Sequence, residues 1–230
     1  MKTIVALYDD FATAQRVVQD LVDAGFSRDS MSIVANDASG EYGKYVTDTG
    51  EVVYDDDDVS AGEGAGFGAV VGTLVGLGVA LIPGIGPVLA AGPFAAALMA
   101  GIGAAAGAAT GGIVAGLVDF GVPEEEAHVY AEGLRRGGNL VSVTADESYA
   151  ARIEDIMNRH NPVDIDYRAT MWREGGWDEF NHTAEPYSHD EIRTQRETYQ
   201  DMARTGTSTP MGTSKSTIGG VRTYNSDRDV

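Results

Sequence analysis

Four histidines, His128, His160, His182 and His189, are the side chains best suited to proton transfer or metal ligation near neutral pH. They are scattered, with no H-E-x-x-H spacing to set two imidazoles on one helix face, and no G-x-S-x-G serine accompanies them. The chain has no cysteine, which excludes thiol catalysis, disulfides and cysteine-based zinc sites. Asp55 to Asp58 supply oxygen ligands of the kind Ca²⁺ or Mg²⁺ takes, but four consecutive acids cannot all face one ion, and the spacing is not an EF-hand loop. They read as a solvated linker. The glycines between Gly62 and Gly86 hold no G-x-G-x-x-G register, and no Gly-Lys-Ser/Thr follows them, so no phosphate cradle is expected. Glu124, Glu125 and Glu126 read as helix-start acids, and Trp172 and Trp177, around Gly175-Gly176, as a cover for a sheet edge. The expectation is no catalytic residue, no metal and no cofactor: a protein that is not an enzyme.

What remains is spacing suited to packing. Residues 64 to 118 form a run of 55 positions without Asp, Glu, Lys, Arg or His, in a chain of 230 residues with formal charge −19. Gly64, Gly68, Gly72 and Gly76 recur every fourth residue, with Ala80 continuing the series. Gly103, Gly107 and Gly111 repeat it, with Ala115 extending it. On a helix this spacing makes a groove free of side chains. Each glycine costs about 1 kcal/mol against alanine in a solvated helix, so the groove is expected to receive another helix backbone.

The elements around this run follow from periodicity. Thr3 to Tyr8 is an apolar strand, Asp9 or Asp10 offers an N-cap, and Phe11, Ala14, Val17, Leu21 and Ala24 share a helix face that ends near Gly25. Met31 to Asn36 reads as a second strand. Pro123 opens another helix with Ala127, Tyr130 and Leu134 inward, and Gly137-Gly138-Asn139 stops it. Leu140 to Ala145 is a strand, Ser148 to Arg159 a helix, and Asp164 to Trp172 a final strand. Joined, these give an α+β fold, a ferredoxin-like β-α-β-β-α-β sandwich, with strands 3–8 and 140–145 as its central pair. A small open α/β sheet is the competing architecture.

The resulting division is 1–36 with 121–173 as the split ferredoxin-like domain, 37–63 as an acidic linker with a small hairpin over 44–54, 64–118 as a glycine-zipper helical hairpin, and 174–230 as a polar tail. Ser188 and Glu191 form a capping box for one tail helix, 188–203, while 204–230, rich in Thr, Ser, Gly and Arg, is expected to stay unfolded unless bound.

The hairpin turns at Pro83-Gly84-Ile85-Gly86-Pro87, and Pro93 begins its second helix, running to about Val118. Each helix approaches the 17 to 25 residues that cross a hydrocarbon core. Three places are open to it: membrane lipid, the core of a homo-oligomer joined through the glycine-zipper helices, or the surface of its own α/β domain. With 35 acidic and 16 basic residues and no basic patch, nucleic acid is not an expected partner. The amino terminus does not read as a signal peptide, which places the protein on the cytoplasmic side of the inner membrane or soluble in the cytoplasm. The tail is left free to bind a protein.

The stretch Gly121-Val122-Pro123-Glu124-Glu125-Glu126-Ala127, continued by Tyr130, Glu132-Gly133-Leu134-Arg135-Arg136-Gly137-Gly138 and Leu140-Val141-Ser142-Val143, resembles the signature that follows the glycine-rich segment of bacterial general-stress and low-temperature-induced proteins. The amino-terminal β-α-β with Gly25-Phe26 resembles the heat-induced stress domain of the same group. The resemblance implies a stress-linked protein of unknown biochemical activity, with no catalytic residue to carry over.

Overall fold

The computed structural model describes residues 1–40, 78–94, 96, 112–205 and 220–226. Strand β1 (Lys2–Tyr8) leads into helix α1 (Phe11–Asp23), whose N-cap is Asp10: its Oδ1 accepts from the Thr13 amide at 2.7 Å. Gly25, at φ 92°, ends the helix, and the Phe26 amide folds back to the Leu21 carbonyl at 3.1 Å. Strand β2 is Met31–Asn36. Strands β3 (Gly78–Ile82) and β4 (Gly86–Ala91) follow, then α2 (Gly112–Asp119), α3 (Glu124–Arg135), β5 (Asn139–Ala145), α4 (Glu147–Asn158), α5 (Ile165–Glu174), α6 (His189–Thr205) and β6 (Arg222–Asn225).

The strands make one antiparallel sheet in the order β3-β4-β2-β5-β1-β6. The two most apolar strands, β1 and β5, do pair, from Lys2 opposite Ala145 to Tyr8 opposite Asn139. Alternate residues feed two cores. Ile4, Ala6 and Tyr8 meet α1 and α4 on one face, while Val5 and Leu7 meet α2, α3 and α5 on the other. A sheet covered on both sides explains strands that read as continuous apolar runs.

Four expectations are corrected. The turn at 83–87 is present, with Gly84 and Gly86 at φ 80° and 98°, but it joins strands β3 and β4, not two helices. The sheet decides this, because β4 pairs with β2 from Ile33 opposite Ala91 to Asn36 opposite Val88, satisfying backbone groups the apolar segment would otherwise bury unpaired. Periodicity alone does not separate a short apolar strand from a buried helix. Second, the stretch read as a strand over 164–172 is helix α5. Val163, Ile165 and Tyr167 alternate as in a strand, but Ile165, Ala169 and Trp172 also share a helix face, and the Asp164 carboxylate caps the amides of Asp166 and Tyr167 at 3.1 and 3.0 Å. Third, part of the tail expected to be unfolded, 222–225, is strand β6 on β1. Fourth, Trp172 and Trp177 pack edge to face, centroids 5.7 Å apart, over the α3 face of the sheet and not at its edge.

The capping box is as expected: Ser188 Oγ donates to Glu191 Oε2 at 2.7 Å and accepts from the Glu191 amide at 3.4 Å. Pro93 does turn the backbone helical, and the Phe94 amide donates to Ser32 Oγ at 2.9 Å. The suggested hairpin at 44–54 and the acidic run 55–58 lie outside the described residues.

Candidate functional site

Helix α3 begins under its own electrostatics: three glutamates in its first turn face the positive end of the helix dipole. Ala127, Tyr130 and Leu134 are buried, as their spacing predicts. Only one wall of the helix is spoken for by the sheet. Helix α2 packs on another, and the C-terminal segment of the chain meets α3 at both ends.

At the amino-terminal end, Tyr224 of β6 enters between α3 and β1. Its hydroxyl donates to Glu126 Oε2 at 2.6 Å and lies 3.3 Å from the Tyr130 hydroxyl. Burial pushes both phenols above their ordinary value near 10, and at Tyr224 the neighbouring Tyr130 adds to it. Because strand side chains alternate, Thr223 points to the opposite face and donates to Glu154 of α4, and Val221 joins the α1/α4 core. Arg222, on the Tyr224 side, pairs with Asp166 of α5. Gly121, at φ 92°, lies so close to the Asn225 carbonyl that a Cβ would overlap it. A cavity of about 850 Å³ flanks this strand, lined by Glu126, Glu154, Asp155, Asn158 and Arg159 among others.

At the carboxyl-terminal end, fully buried Glu132 accepts at one oxygen from Arg136 Nε at 2.6 Å and Arg135 Nη1 at 3.4 Å. The paired guanidiniums then reach the tail. Arg135 donates to the Gly84 carbonyl of the β3–β4 turn at 3.0 Å and to the Glu185 carbonyl at 2.9 Å, and stacks on Tyr187 at 4.3 Å. Arg136 donates to Gln195 of α6 at 3.2 Å and lies 5.0 Å over Trp172. Gly137, at φ 90°, receives Ile192 of α6, and its carbonyl accepts from Arg196 at 2.9 Å.

Of the residues expected to pack as a glycine zipper, Gly64, Gly68, Gly72, Gly76, Gly103, Gly107 and Gly111 lie outside the described residues. Ala80 faces the core on β3, and Ala115 is exposed on α2. Ala80 stands in a strand and so does not continue a helical series. His128 is half-buried with His182, Glu124 and Phe180 around a cavity of about 290 Å³; His160 Nε2 lies 2.8 Å from Asp20. No group of three or more potential metal-holding side chains occurs among the described residues.

Sequence reasoning missed Tyr224, Thr223 and Arg222. Their one signal is Val221 and Tyr224 in a stretch rich in Thr, Ser, Gly and Arg. The Glu132-Gly-Leu-Arg-Arg-Gly-Gly motif was noticed for its resemblance, not for its task of holding the tail.

Fold and site together define an α+β protein that binds its own C-terminal segment along one helix and one sheet edge. Residues 3–79 match the family model described as the heat induced stress protein YflT domain. The match covers about a third of the chain: β1, α1, β2 and the start of β3. No curated protein and no solved structure matches the chain.

Proposed function

We propose that the protein is a non-enzymatic, stress-associated module that works by self-association in the cytoplasm, copies meeting through the apolar segment 64–118. Edge strand β3 carries this reading. Val79 is 41% and Leu81 71% exposed while Ala80 and Ile82 point inward, and among the described residues no strand pairs with the outer edge of β3. Apolar side chains on an unpaired strand edge are a template for another strand, and a second copy offers the same edge by symmetry.

Lipid has less in its favour. A membrane span needs about 17 residues or more. With β3 beginning at Gly78, the first half of the run keeps only the fourteen residues 64–77. In α2, Ile113 and Leu117 are each 1% exposed against protein. Among the described residues, no helix is long and apolar enough to cross a membrane.

The order β2-β5-β1-β6, with β6 in the place first given to 164–172, is compatible with a ferredoxin-like core carrying β3 and β4 as an extension.

Sedimentation of the full chain tests the proposal. The natural sequence is expected to run larger than one chain, and Leu81→Lys and Gly72→Leu to reduce its size without lowering the melting temperature by more than a few degrees. A natural chain that sediments as a monomer at tens of micromolar ends this reading. Recovery only in a detergent-soluble membrane fraction transfers the support to lipid.

A further inference from the structure

Strand β6 is held as a bound peptide is held. Sixteen residues, 206–221, separate it from α6, and its first neighbour in the sheet, β1, begins 220 positions earlier at Lys2. Its backbone adds to β1 with Lys2 opposite Asn225, Thr3 opposite Tyr224, Ile4 opposite Thr223 and Val5 opposite Arg222. Its side chains then select: Tyr224 for Glu126 and Tyr130, Thr223 for Glu154, Arg222 for Asp166, and Asn225 for Lys2 Nζ at 2.6 Å. Gly220 passes so close to the Val163 carbonyl that no side chain fits. Main-chain pairing plus alternating pockets is strand addition, a recognised mode of peptide binding.

We infer that the groove between β1, α3 and α4 is a peptide-binding site for an extended Val-Arg-Thr-Tyr-Asn segment, and that its partner in trans is residues 220–226 of a second copy. The chain's own sequence is the one shown by these contacts to fit both faces of the groove. Sixteen residues at about 3.3 Å each reach at most roughly 53 Å, enough to leave one groove for another on an adjoining molecule. A tether of this length holds the segment near its own groove at about millimolar effective concentration. Exchange therefore belongs to molecules already gathered, which is how this inference rests on the self-association proposed above.

The absence of cysteine makes the test direct. Full chains carrying Lys2→Cys are mixed with full chains carrying Asn225→Cys and oxidised. A disulfide between the two kinds of chain forms efficiently only when the β6 of one lies on the β1 of the other. The expected heterodimer yield is several-fold above that of Lys2→Cys mixed with Tyr149→Cys, whose cysteine stands on an exposed site of α4, and adding Tyr224→Ala to the Asn225→Cys chain returns it to the control level. Equal yields in all three mixtures overturn the inference. Amide exchange on the unsubstituted chain gives a second reading that needs no variant. Residues 222–225 are expected to exchange by local opening while β1 and β5 stay protected; exchange of β6 only with global unfolding also overturns it. Control-level crosslinking with sedimentation unchanged sinks the exchanged strand and leaves the β3 contact standing.

Discussion

Glu132 is the residue on which the tail clamp turns. It is fully buried, and it holds two arginines that between them touch the β3–β4 turn, the 185–187 loop and α6. Removing one partner of a buried ion pair leaves the other charge uncompensated, which costs about 3–5 kcal/mol. Glu132→Gln is accordingly expected to lose stability in that range in urea unfolding, and a loss under about 1 kcal/mol would mean that the arginines are held by the carbonyls alone. Two glycines with nearly the same backbone angle separate strain from packing. Gly25 has open space where a Cβ would stand, so Gly25→Ala is expected to cost about 1–2 kcal/mol for the left-handed conformation. Gly137→Ala carries the same strain and drives a methyl into Ile192, so it should cost measurably more and loosen α6, read as a change in Trp172 fluorescence, since Trp172 donates to Tyr199 of that helix at 2.9 Å. Equal losses at the two positions would leave Ile192 no part in seating the tail.

At the scale of elements, legibility followed how many signals agreed. Helix α1 had a carboxylate cap, a single apolar face and a terminal glycine, and all three are where the residues put them. Helix α3 and strands β1, β2 and β5 were equally plain. Over α5, the strand-like alternation of Val163, Ile165 and Tyr167 competes with the Asp164 cap and the Ile165, Ala169 and Trp172 face, which favour a helix. Asp164→Ala is therefore expected to cost about 1 kcal/mol, the usual worth of such a cap, with the melting temperature lowered by a few degrees. No change on melting would mean that Trp172 and Ala169 burial alone fixes the helix. The segment holding β3 reads as helix because glycine every fourth residue favours a helical groove, and pairing of β4 with β2, a contact more than fifty positions apart in sequence, is invisible to local pattern. Strand β6 was missed for the same reason. Arg222-Thr223-Tyr224-Asn225 has little apolar character of its own, and what orders it is an edge of β1 at the other end of the chain. The candidate site lies where those long-range contacts converge on α3, so its receiving half was visible as a motif and its received half was not.

The whole molecule joins its first strand, its central helix and its last strand through buried phenols, and this sets how it responds to alkali. Tyr8 donates to the Met157 carbonyl at 3.0 Å, and Tyr130 and Tyr224 share the pocket beside Glu126. Desolvation raises all three above the ordinary value of 10.0, and at Tyr224 the nearby Tyr130 and the Glu126 carboxylate add to it. In the unfolded chain these groups lose their protons near pH 10; in the folded chain they keep them. Between those limits the folded state binds more protons, so the contribution of these groups to stability is constant below about pH 10 and falls above it. Each such tyrosine contributes a slope of about 1.4 kcal/mol per pH unit, and three together about 4. Urea midpoints at pH 8, 9, 10.5 and 11 are expected to be level at the first two and to drop steeply at the last two. Tyr224→Phe removes one titrating group and one hydrogen bond, so it should lower the plateau and flatten the decline by about a third. A variant that keeps the full slope would show that Tyr224 ionises as freely folded as unfolded, and the strand it anchors would then not be seated in the groove at all.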